Sequence, residues 1–144
     1  MQPLQFGAIG GTLEAVIPFV VFALAIVNVI TRILSHRSHV SQADEYGADG
    51  IERSSLHTVS TLALVLATFA YVMVDLHFGV ALAAFALTAF IADFFEFEAR
   101  LVEARTDRPL EAPKAAIGAS LFIVVYAGYI VLVELFGAFW SPVI

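Results

Sequence analysis

The chain has 144 residues, 60% of them hydrophobic and 14% charged, with a mean hydropathy of +0.91 and a net charge of −6. A water-soluble domain carries about a quarter of its residues as charges, so this composition excludes a soluble globule and points to a membrane protein. Cysteine is absent, which excludes disulfides, thiolate zinc sites, iron–sulfur ligation and cysteine nucleophiles; the acidic balance excludes a basic nucleic-acid surface, so no nucleic-acid partner is expected.

Four apolar blocks predict an all-α fold: a polytopic membrane protein of four transmembrane helices, forming one domain over residues 1–144. The first span is expected over about 14–34, where 17 residues free of charge separate Glu14 from Arg32. A polar link over 35–55 follows, acidic through Asp44, Glu45, Asp49 and Glu52. His36 and His39 flank Arg37 in that link and are expected to be solvated.

The second span is expected over 56–76, within a stretch of 21 residues, Ser54 to Val74, free of charge. Ser54 or Ser55 is placed to cap its start. His77-Phe78-Gly79 then forms a tight turn into a third span over 79–100. Only 15 uncharged residues, Phe78 to Ala92, separate His77 from Asp93. At 1.5 Å per residue, Gly79 to Asp93 covers about 21 Å of a roughly 30 Å apolar layer. Asp93, and Glu96 after it, must therefore lie within the membrane or at its edge. A second polar link over 101–114 leads to the fourth span, over 115–137, with Pro113 at a position that tolerates proline.

Arg32, Arg37, Arg53, Arg100, Arg105, Arg108 and Lys114 all lie in or beside the two links, and neither the hairpin nor the terminal segments contain Lys or Arg. The positive-inside rule then places both links in the cytoplasm and the termini and hairpin outside the cell membrane. The ends of spans two and four share a pattern: Tyr71, Asp75 and Gly79 against Tyr129, Glu134 and Gly137. That pattern is consistent with a tandem repeat of two helix pairs.

Ionisable residues within spans are costly and mark candidate sites. They form two layers. In the inner one, Asp93, Glu96 and Arg100 share a helix face, with Glu96 and Arg100 in the favourable i,i+4 order, and Asn28 and Arg32 stand at the same depth on span one. The same face continues through Ala89, Ala86, Ala83 and Gly79, a stripe of small residues suited to close helix packing. The inner layer is expected to be an ion-pair and hydrogen-bond cluster fixing the helix ends; the alternatives are a proton or cation site and a contact surface for another chain. The outer layer is Glu14, Asp75, His77 and Glu134, which mark the membrane boundary unless packing makes them converge.

No catalytic motif is present: no Gly-x-Ser-x-Gly, no phosphate-binding glycine loop and no His-Glu-x-x-His. His57 and His77 lie at opposite ends of span two, which argues against a heme, so no cofactor and no metal is expected.

The acidic segment Ser41 to Gly50, the single lysine and the four Ala/Val/Phe-rich spans resemble small uncharacterised four-helix membrane proteins of halophilic archaea. That resemblance is one of style over the whole chain and implies a membrane location only. Small size and the lack of a catalytic motif favour a non-enzymatic accessory or structural subunit of a larger respiratory or transport complex. The second reading is a small homo-oligomeric proton or cation transporter. The expected partners are the lipid bilayer and either other membrane subunits or further copies of the chain.

Overall fold

The computed structural model describes residues 8–140, with side chains described over 12–137. Four α-helices account for nearly all of it: α1 (Ala8–Tyr46), α2 (Ser55–Val74), α3 (Leu76–Arg105) and α4 (Lys114–Trp140). Each is long and apolar enough to cross a membrane, and the chain is a multi-pass membrane protein. The terminal segments used in the orientation argument lie outside the described residues.

The helices form a ring in chain order, α1 beside α2 and α4, and α3 beside α2 and α4. Consecutive helices run antiparallel. Small and branched apolar residues fill the centre: Val21, Leu64, Leu82, Ala86, Ile123 and Ala127 are each at most 1% exposed. Large apolar side chains cover the outside, with Leu66, Phe122 and Val125 each more than 60% exposed. That inversion suits lipid, where an outward Leu costs nothing.

The two ends of the bundle are built differently. At the hairpin end a single residue, Asp75, separates α2 from α3. Its N–H donates to Tyr71 O at 2.8 Å, closing α2, while its carboxylate accepts from Phe78 N at 3.1 Å and caps α3. The turn therefore falls at Asp75, two residues earlier than the sequence predicts, because a carboxylate satisfies the free N–H groups of a helix start. Gly79 permits the close return: a Cβ there would lie 2.4 Å from Val72 N. The stripe Gly79, Ala83, Ala86 and Ala89 is buried throughout and is used inside the chain.

At the opposite, basic end, α1 and α3 run well past the apolar layer. The 39 residues of α1 make a rod of about 58 Å at 1.5 Å per residue. Residues 35–46, expected in a polar loop, are helical. The helix persists because its far turns have tertiary partners: Gln42 Oε1 accepts from Glu52 N, and buried His39 bonds Glu52 O. It stops at Gly47, whose φ of 77° favours glycine. A 3-10 turn over Ala48–Gly50 and a short extended stretch then lead to Ser54, which caps α2 by accepting from His57 N at 3.3 Å. The link between α3 and α4 turns at its second residue, Asp107, with φ 56°, a conformation Asp tolerates better than most L-residues.

Candidate functional site: a polar cluster and cavity at the basic end

The cluster starts from one face of α1. Asn28, Thr31, Arg32, Ser35 and His39 follow a spacing of three or four residues, and each is no more than 8% exposed. On α2 the same periodicity brings His57, Ser60 and Thr61 to the facing side, all buried. From α3, Asp93 points between them.

The contacts are specific. Arg32 grips Asp93 with two bonds, Nε to Oδ1 at 2.9 Å and Nη2 to Oδ2 at 2.6 Å. This is the fork geometry in which guanidinium and carboxylate bind most strongly. His57 Nε2 lies 3.1 Å from Asp93 Oδ2, and its Nδ1 lies 2.8 Å from Thr31 Oγ1. Asn28 Nδ2 donates to Ser60 Oγ and to Thr61 Oγ1, at 3.2 and 2.9 Å. Arg32 and Asp93 stand on diagonally opposed helices, so the ion pair crosses the interior of the ring.

Arg32 and Asp93 come together as the sequence leads one to expect, whereas Asn28, expected beside them, bonds Ser60 and Thr61 on α2 instead. Glu96 and Arg100 line the same space but do not pair with each other. Glu96 Oε1 instead accepts from the backbone N–H of Ala115 at 2.8 Å and of Ala116 at 3.1 Å. A helix start offers free N–H groups and a positive dipole end, which draw the carboxylate toward α4. Arg100 turns to Glu103, with Nη2 donating to Oε1 at 2.8 Å, and to the carbonyl of Glu111. It straps the α3–α4 link onto α3. The i,i+4 rule treats a helix alone: Glu96 is drawn to a neighbouring helix, and Arg100 keeps an i,i+3 partner on α3 while reaching the link.

His39 is also repositioned relative to expectation. It is buried, with its ring 5.2 Å from that of Phe97 in an edge-on arrangement. His57, considered in the sequence only as a heme ligand, is a full member of the cluster. The available signal was the polar periodicity His57, Ser60, Thr61 on one face, matching Asn28, Thr31, Arg32 on α1.

A cavity of about 250 Å³ adjoins the cluster, with walls from all three of these helices and a floor reaching Pro113. Three guanidinium groups border it, from Arg32, Arg53 and Arg100, against two carboxylates, Asp93 and Glu96. Phe90, Phe94 and Phe97 supply an apolar wall. Arg53 lies over the Phe97 ring at 4.1 Å and near Phe94 at 5.0 Å, and makes a loose pair with Glu98 at 3.4 Å. Some buried polar atoms have no protein partner, among them Arg32 Nη1 and Glu96 Oε2.

The outer residues do not form a comparable site. Glu14, His77 and Glu134 are exposed, and Asp75 is the cap at the hairpin. Among the described residues no group of three His, Asp or Glu side chains is placed to hold a metal ion.

No curated protein and no solved structure matches this chain. A match over residues 2–144 shows that the chain belongs to the family described as "Domain of unknown function (DUF7313)".

Proposed function

We propose that the protein is a non-catalytic helical subunit of a larger membrane assembly, its polar cluster serving to lock its own helices. The observation that carries this reading is the way Asp93 is held. Both of its oxygens are engaged, by the Arg32 fork and by His57. A carboxylate committed to three bonds from two other helices clamps α1, α2 and α3 together. The positive-inside rule supports placing the basic end in the cytoplasm and the hairpin outside, in the cell membrane. Arg37, Arg105 and Arg108 extend the charge beyond the cavity on that same end.

The test is the native mass of the protein extracted from its own membrane in mild detergent, with co-purifying chains identified by mass spectrometry. Stoichiometric membrane partners are expected. A homo-oligomer without partners would favour the second reading, a small proton or cation transporter. One feature supports that alternative: His57 and Asp93 meet at the cavity wall, where a proton could pass between imidazole and carboxylate. Asp93→Asn would then abolish ion flux in vesicles while leaving the fold intact.

A further inference from the structure

We propose that the cavity at the basic end binds a phosphate ester carrying a hydroxyl group, of the glycerol-phosphate type found in anionic lipid headgroups. The inference concerns the cavity alone and holds whether or not the chain is a subunit.

The cluster leaves polar atoms unused. Arg32 is only 2% exposed, and Asp93 occupies its Nε and Nη2. Its Nη1 is buried without a partner. A buried guanidinium N–H left unpaired costs well over a kilocalorie per mole, roughly 1–3 or more, so an acceptor from outside the chain fits this position. Glu96 presents the complementary need: Oε1 is taken by the start of α4, while Oε2 is a buried acceptor with nothing to accept from. Both residues line the same cavity, so its walls hold a spare cationic donor and a spare anionic acceptor just behind the surface. A phosphate oxygen answers the first, and a neighbouring hydroxyl answers the second.

Arg53 adds a second cation at the rim. It is 43% exposed, its pair with Glu98 is long, and its guanidinium carbon lies 4.1 Å from the centre of the Phe97 ring. A guanidinium over an aromatic face still has N–H groups to offer a phosphate. The size is appropriate, since about 250 Å³ is many times what one water occupies and below the span of a large cofactor pocket.

The rim names the source that fits best. Thr58 on α2 and Phe90 and Phe94 on α3 border the cavity and are exposed, so the cavity opens sideways between these helices. A lipid could seat its headgroup inside and leave its chains along Phe90 and Phe94. Basic pockets between membrane helices take anionic headgroups in this way. A soluble glycerol phosphate offers the same polar chemistry without the chains.

The experiment is thermal unfolding of the full chain, delipidated in a neutral detergent, at fixed ionic strength. The probes are short-chain phosphatidylglycerol, short-chain phosphatidylcholine and glycerol 3-phosphate. A saturable rise in Tm with phosphatidylglycerol alone assigns the site to a lipid. The same rise with glycerol 3-phosphate assigns it to the soluble ester. Arg32→Lys retains the charge facing Asp93 but removes the spare N–H, and Arg53→Gln removes the rim cation. Each should weaken the apparent affinity about tenfold, the effect of losing one charge-assisted bond. Arg53 is exposed, so its variant decides the matter if Arg32→Lys does not fold. No rise with any probe overturns the proposal. So does an equal rise with phosphatidylcholine, or unchanged affinity in Arg53→Gln.

Discussion

At the hairpin end, backbone meets backbone. Asp75 closes one helix and opens the next, Gly79 lies against the Val72 main chain, and Glu14, His77 and Glu134 are exposed. At the basic end, side chains hold the helices apart around a cavity, and the contacts are an ion pair, an imidazole and a row of hydroxyls. The first arrangement fixes geometry with few atoms. The second spends more polar groups, yet leaves donors and acceptors over. Residues that look equally suggestive in sequence, Asp75 and Asp93, therefore have different work: one is a cap, the other a clamp.

That contrast can be broken by substitution, read as unfolding free energy in mixed micelles. The largest effect is expected for Asp93→Leu, which leaves Arg32 buried without its counter-ion and should destabilise by about 3–5 kcal/mol. If the loss is under about 1 kcal/mol, the basic end is not held by the ion pair. Gly79→Val comes next. Its side chain must push α2 and α3 apart where a Cβ alone would approach Val72 N to 2.4 Å, and a loss of about 1–3 kcal/mol is expected. Asp75→Ala removes the cap on α3 for about 1 kcal/mol, whereas Asp75→Asn keeps an acceptor oxygen and should stay within a few tenths. Smallest of all, Glu14→Gln and His77→Gln should each lie within about 0.5 kcal/mol of the parent, as for other exposed sites without a network. A large effect at either would mean that the hairpin end holds a site after all.

Much of this architecture is legible in the order of residues. Four long apolar blocks identify four helices, and the short apolar run before Asp93 correctly places a carboxylate inside the bundle. The stripe from Gly79 to Ala89 identifies the face of α3 that packs. What is not legible depends on neighbours. Residues 35–46 are polar enough to look like a loop, and only the reach of Gln42 and His39 to Glu52 explains their helix. Glu96 looks like the partner of Arg100 until the start of α4 arrives within 2.8 Å. His57 sits among serines and threonines that favour capping, and its role emerges when Thr31 and Asp93 are brought to its two nitrogens. The cavity has no sequence signature, because its lining comes from separate helices and its arginines also serve the links.

The most direct test is a double-mutant cycle on Arg32→Met and Asp93→Leu, with ion flux measured on the same proteins in vesicles. Each single variant is expected to be strongly destabilised. The double variant should regain most of the loss, with a coupling energy of about 2 kcal/mol or more, since replacing a buried pair by apolar residues is often neutral; no variant should alter flux. Additive losses with no coupling, together with a proton or cation flux that disappears in Asp93→Leu, would contradict the clamp and make Asp93 part of a transport path.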